Sequence, residues 1–444
     1  MWNSNNNIYY AYKIISKHSG LIFSTAFYKN TNFDDNNYIS LIKKVIKKEN
    51  NYYIHIPFCI TLCNYCYCYK IQNIDNNYHK KYLSYLDKEL KIYYKLNGNK
   101  KLSYTSLNMG GGTPNLLSDD NFTLLFDILD KYFDLSNKSS MFNIDLNISL
   151  LSNKKLLIIS KFCNRVSIGI QTYNSKLLIE SNRYYDKEKF YNAYFEFFKK
   201  NGVAINVDLM IGLTNQTVED VDSIIKKMIY LKIDNISLNY FHKKDGLSYD
   251  FGDKEKELIN VTQLKWDSII SKYNKSPNSQ VDMETRRDNI IGIGVGAMGN
   301  IYGEIGVYRT SFENYYSYID QGKIYFDSYI IMDKYLEIVS YFFERIVCSI
   351  IKSRCISLYG EKNYIKIKEK LNKLFEEGIL VENNERIYST ISDKEIMQLL
   401  VEYLLKDYIE SGFFGNLKDD YDIESINKEF NLFFDKQGKF CTSR

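Results

Sequence analysis

The chain reads as an α/β protein built on a partial barrel of six βα units, followed by a mainly helical region. Two observations predict this. Short β-rich runs alternate with amphipathic stretches between residues 52 and 241, without hairpin pairs. That rhythm then stops beyond about residue 310. A length of 444 residues also suits a barrel plus an accessory domain better than one small domain.

The predicted strands are Tyr52–Pro57, Ser103–Met109, Phe142–Asn147, Arg165–Gln171, Ala204–Ile211 and Asn235–Phe241. Between them lie helical patterns at Asn77–Tyr94, Ser118–Phe133, Leu151–Phe162, Ser175–Lys200 and Val218–Leu231. Right-handed crossovers leave an open doubly wound sheet or a barrel, and six units favour a partial (β/α)6 barrel. Residues 1–50 read as an N-terminal arm, 51–305 as the barrel and 306–444 as an accessory domain. In that last part Tyr335–Lys352, Gly360–Glu377 and Ser392–Tyr408 have helical periodicity. Leu380–Val381 and Arg386–Tyr388 suit a short hairpin, so the domain is expected to be winged-helix-like.

Hydrophobic residues at 45% and charged residues at 25% describe an ordinary globular chain. A net charge of +4 gives no case for nucleic acid as a partner. No apolar run is long enough to span a membrane, and Met1–Gly20 lacks a signal-peptide layout. A cytoplasmic location is therefore expected. Its eight cysteines then read as ligands or core residues before disulfides.

The sharpest signal is Cys59-Ile-Thr-Leu-Cys63-Asn-Tyr-Cys66, directly after the first strand. Parallel βα folds place their active sites at that edge. Three thiolates this close can hold a 4Fe–4S cluster and leave one iron open. That iron can take the amino and carboxylate groups of S-adenosylmethionine (SAM), whose reductive cleavage releases a 5′-deoxyadenosyl radical. Zinc is the rival, because Cys68 offers a fourth thiolate. The second cysteine pair of a zinc ribbon is missing. Cys68 itself either lines the substrate side or only packs.

Gly110-Gly111-Gly112-Thr113-Pro114 closes the second strand, where glycines let backbone approach a ligand and expose N–H groups. Asp145, Gln171 and Asp208 stand at later strand ends, with Arg183 on the following helix, and converge on the same mouth. Gly294-Val-Gly296-Ala-Met-Gly299 matches GxGxxG, but with no strand-first βαβ unit it reads as part of a tight turn over Gly292–Gly299.

Together these motifs resemble the oxygen-independent coproporphyrinogen III oxidase family of radical SAM enzymes. The likeness rests on Tyr53-Ile-His55-Ile-Pro57-Phe58-Cys59 with Cys63, Cys66 and Cys68, and on the glycine run. It continues through Ser167–Tyr173, Asn182-Arg183, Val207–Leu213 and the Gly292–Ala297 turn. The resemblance implies a radical SAM barrel with Cys59, Cys63 and Cys66 on the cluster. It implies SAM contacts from Tyr53, Gly111, Gly112, Thr113, Gln171, Arg183 and Asp208, and from Asp145 where the family usually has Glu. Phe241 aligns with a backbone contact to adenine. Tyr53 and Cys68 are the candidate catalytic residues. A second SAM, a tetrapyrrole or other ring substrate, and a reduced flavodoxin- or ferredoxin-type electron donor are further implications.

Three functions follow from the resemblance. The first is oxidative decarboxylation of coproporphyrinogen III. The second is a C-methyltransferase, cyclopropanase or heme-opening enzyme of the same fold. The third is a heme-binding chaperone, placed last because Met283–Asn289 lacks the His-Asn-x-x-Tyr-Trp run of that branch.

Overall fold

The structure is a computed structural model that describes residues 35–404 apart from internal stretches, the longest being 242–252 and 274–289. The described residues fall into two compact units, one within Asn32–Ile301 and Val307–Ser328, the other from Tyr329 onward.

The first unit carries the predicted strands: β1 (Asn50–Ile56), β2 (Tyr104–Gly111), β3 (Met141–Leu146), β4 (Arg165–Gln171), β5 (Ala204–Ile211) and β6 (Asn235–Tyr240). They pair in parallel and in chain order. A seventh parallel strand, β7 (Ile290–Ile293), adds to the free side of β1. A short strand, β8 (Met298–Ile301), then runs antiparallel to β7. The fold is thus a partial barrel with seven parallel strands. The turn expected over Gly292–Gly299 is narrower, since Gly292 and Ile293 belong to β7 and Met298 begins β8. A strand therefore does precede the GxGxxG run, but a strand rather than a helix follows it, so it is no dinucleotide fingerprint.

The described α-helices of this unit are α1 (Asp35–Val45), α2 (Asn76–Leu96), α3 (Asp119–Tyr132), α4 (Asn153–Phe162), α5 (Ser175–Glu180), α6 (Tyr191–Lys200), α7 (Val218–Tyr230), α8 (Asp253–Thr262), α9 (Ser268–Tyr273) and α10 (Phe312–Asp320). Local chemistry sets their starts. Ser118 accepts from the Asn121 N–H, and Thr217 and Asp220 form a reciprocal capping box. The single helical pattern over Ser175–Lys200 divides into α5 and α6. After α5 the chain turns at Asn182, which takes the left-handed φ of +52°.

Strand alternation sorts the sheet into two chemistries. Tyr52, Ile54, Ile56, Leu107, Phe142 and Ile144 are buried on one face, where Tyr52 packs on Phe133 and Phe142 on Phe126 of α3. The other face is polar, and its side chains bond to one another across strands. Ser106 donates to Asn51 Oδ1 at 2.6 Å, and Ser167 donates to Asn143 Oδ1 at 3.1 Å. Ser237 donates to Asn206 Oδ1 at 2.9 Å. This neutral layer keeps the polar face hydrogen-bonded below the strand ends that carry charge.

The described part of the second unit packs its own core on Ile338, Val339, Phe342, Ile367, Leu371 and Leu400. Helices at Lys352–Tyr359, Glu361–Lys370 and Asn372–Glu376 precede a hairpin of Leu380–Glu382 with Arg386–Ser389. Much of Tyr335–Lys352 and Ser392–Tyr408, and the arm before residue 35, lies outside the described residues.

Candidate functional site

The cysteine loop leaves β1 and is closed at its base. Phe58–Cys59 pairs in parallel with Ile71–Gln72, and the Ile71 N–H donates to Pro57 O at 2.8 Å. Lys70 bridges the far side, its Nζ 2.7 Å from Cys66 O and 3.4 Å from Cys68 O. The turn after α5 stitches the loop to the barrel. The Asn64 N–H donates to Ser181 O, Asn182 Nδ2 donates to Leu62 O at 2.9 Å, and the Tyr184 N–H donates to Thr61 Oγ1 at 3.0 Å. The same turn delivers Arg183, which donates to Gly169 O and, at 3.3 Å, to the Tyr65 hydroxyl.

Cys59, Cys63 and Cys66 line one cavity of about 170 Å³. Gly112, Thr113, Asp145, Gln171, Arg183 and Asp208 line it too, so most of the residues chosen from sequence converge. Burial pushes the Cys59 thiol up to about 11, despite its contact with Thr113 Oγ1 at 3.6 Å. A hydrogen bond from Cys68 is the main reason that Cys66 falls to about 6. Asn143 and Asn206 donate to Asp145 and Asp208 at 3.1 and 3.0 Å, fixing both carboxylates. Gln171 sits at φ +68°, and its buried Oε1 has no hydrogen-bond partner.

The cavity suits a cluster with SAM on it. The three thiols in its lining are the donor set that such a cluster takes. Two carboxylates and two cations, Lys70 and Arg183, match the mixed charge of SAM, and the orphaned Gln171 Oε1 awaits a donor.

The radical SAM superfamily model matches residues 53–228. Heme chaperone HemW of Buchnera aphidicola subsp. Schizaphis graminum is 30% identical over 266 residues, 56% of this chain and 69% of that protein. HemW of Bacillus subtilis is 26% identical over 392 residues, 82% of this chain and 99% of that protein. The solved structure of coproporphyrinogen III oxidase (HemN) from Escherichia coli has the same fold, with a TM-score of 0.70 at 19% identity. It covers 88% of this chain and 98% of its own. This chain belongs to the radical SAM superfamily, in the HemN/HemW family.

Within this HemN/HemW chain, four residues chosen from sequence do not line the cavity: Tyr53, Cys68, Gly111 and Phe241. Phe241 is buried with Tyr65, Leu177 and Leu213 behind Cys63 and Cys66, and its N–H is spent on Ile211 O at 2.8 Å. Cys68 is exposed. The glycine loop also differs from the expectation of exposed N–H groups. The Gly112 N–H donates to Ile56 O at 2.9 Å and the Thr113 N–H to Phe58 O at 2.8 Å, so both close the fold. Asp145 packs over Gly110, where a Cβ would collide with its carboxylate.

Sequence reasoning missed Lys70, Thr61, Tyr184 and Asn147, which also border the cavity. Asn147 is held by Asn115, whose amide accepts from the Asn147 N–H at 3.0 Å and donates to its carbonyl at 2.7 Å. The signal for Lys70 was its place four residues after Cys66, within reach of that residue's carbonyl. Among the described residues no helix is long and apolar enough to cross a membrane.

Proposed function

We propose that this protein holds a 4Fe–4S cluster and SAM in the cavity and carries a tetrapyrrole, with heme carriage of the HemW kind as the leading reading. The observation that carries it is the similarity to Bacillus HemW over 99% of that protein's length. The sequence alone ranks the chaperone last, on the missing run at Met283–Asn289. That segment lies outside the described residues, and the end-to-end similarity supports the opposite order.

When bound, such a cluster supplies the electron that splits the sulfonium C–S bond of SAM. Cys59, Cys63 and Cys66 are its ligands, and Lys70 clamps the loop by binding two of its carbonyls. Arg183, braced by Gly169 and Tyr65, offers positive charge to the SAM carboxylate. Asp145, Gln171 and Asp208 offer acceptors to its hydroxyl and ammonium groups, and Gly112 and Thr113 border the methionine end. A second SAM and a flavodoxin- or ferredoxin-type donor remain part of the reading.

The second reading is coproporphyrinogen oxidation, favoured by exposed Cys68 next to Cys66, which resembles the extra cysteine of the oxidases. Anaerobic reconstitution separates the two. Heme titration followed by the Soret band should show stoichiometric binding, with no vinyl product from coproporphyrinogen III, SAM and reductant. A vinyl product with matching 5′-deoxyadenosine would establish the oxidase instead, and S-adenosylhomocysteine would establish methyl transfer. Neither heme binding nor turnover would end the tetrapyrrole reading.

A further inference from the structure

His55 is 2% exposed and lies between two glycine loops. Its Nε2 is 2.8 Å from the Tyr69 carbonyl oxygen, and its Nδ1 is 3.1 Å from the Tyr53 hydroxyl. A carbonyl oxygen only accepts, so Nε2 carries a proton. Burial lowers the imidazole to about 4, so the ring is neutral at pH 7 and has a single N–H. Nδ1 is then a lone pair, and the Tyr53 hydroxyl must be the donor.

The ring cannot easily turn over to exchange these roles. A Cβ on Gly111 would lie 2.5 Å from His55 Cε1 and Nε2, and one on Gly296 would lie 2.5 Å from Nε2. Both glycines have left-handed φ, +105° and +88°. The end of β2 and the turn after β7 therefore press on the imidazole. The Tyr82 hydroxyl holds the backbone by donating to His55 O at 2.7 Å. Gly111, expected from sequence to touch SAM, here makes room for His55.

Tyr53 stands in register with Asn108 and, across it, with Asn143, two residues before Asp145 on the same sheet face; burial keeps its phenol well above the usual range. It keeps its one proton, and that proton is committed to His55. We propose that His55 is a positioning residue that, by accepting the hydrogen bond of the Tyr53 hydroxyl, leaves the phenol oxygen only lone pairs to offer at the edge of the SAM cavity, on the sheet face it shares with Asp145, where it favours a cationic group of SAM. The inference rests on the SAM reading above and adds to it the polarity of one contact.

The first test needs no cofactor. Nitrogen-15 histidine spectra of the cluster-free protein at pH 7 cover only four histidines, and His55 is the signal lost in His55→Asn. We expect the Nε2–H tautomer, with an Nδ1 resonance that moves in Tyr53→Phe. An Nδ1–H tautomer, or an Nδ1 resonance indifferent to Tyr53→Phe, overturns the proposal. The second test is SAM affinity of the reconstituted protein. Tyr53→Phe and His55→Leu should each weaken it about ten-fold or more, and the double variant should be no worse than either. His55→Asn, which keeps an acceptor near the Nδ1 position, should stay within about three-fold of the wild type. Additive losses would mean that His55 does not act through Tyr53. If the wild type binds no SAM, the cofactor reading fails and takes the functional half of this inference with it; the nitrogen spectra still decide the tautomer.

Discussion

Gly112→Ala is the sharpest perturbation of the link between the glycine loop and the cysteine loop. The new Cβ would sit 2.6 Å from Phe58 O, 2.7 Å from Phe58 N and 2.8 Å from Ile56 O. All three are backbone atoms, so no side chain can swing aside. Relief requires β1 and the loop start to move, which strains the two bonds from the Gly112 and Thr113 N–H groups. Overpacking costs about 1–3 kcal/mol, and each weakened bond adds about 1 kcal/mol. The sum is about 3–5 kcal/mol, or roughly 6–10 °C in Tm for a unit of this size. Gly98→Ala is the control: its φ is +71° with nothing within 4 Å, so it carries only the left-handed penalty of about 1–2 kcal/mol. Thermal unfolding of the cluster-free proteins and iron content after reconstitution would be measured. A Gly112→Ala protein as stable as Gly98→Ala, with full iron, would mean that the close approach of the two loops at Gly112 is not needed.

Cys68→Ala should keep a full cluster, because Cys68 lies outside the cavity that the other three share; loss of iron in that variant would make it a ligand. His55 gives a pH signature. Its folded pKa of about 4 lies below the ordinary 6.5, so the unfolded chain binds the extra proton, and stability is lost as pH falls from about 6.5 to 4. The loss attributable to this ring is about 3 kcal/mol. Urea unfolding at pH 7 and pH 4.5 should show a smaller difference in His55→Asn than in the wild type; equal differences would contradict it. Arg183→Ala removes the charge held by Gly169 and Tyr65 and should weaken SAM binding by ten-fold or more, as read by calorimetry. An unchanged affinity would take Arg183 out of the site.

Much of the barrel was legible because its strands alternate apolar and polar residues and are separated by clear amphipathic helices. Arg165–Gln171 and Ala204–Ile211 have the ends read from sequence. β7 escaped because it is four residues long and its third residue is Gly292, so its sequence looks like a turn. The site was legible where chemistry sits at strand ends, as with Asp145 and Gln171; Asp208 lies mid-strand in β5, three residues before its end. It was not legible where a long-range bond decides the role. Nothing local announces that the Thr113 N–H is spent on Phe58 O, or that Gly111 and Gly296 meet across one imidazole.

The most direct test of the account is electron paramagnetic resonance of the reconstituted, reduced protein with and without SAM, alongside metal and sulfide analysis. About four irons and four sulfides per chain are expected, with a cluster signal altered by SAM and loss of both in Cys66→Ala. A protein that instead retains a single tightly bound zinc, or a cluster signal indifferent to SAM, would contradict it.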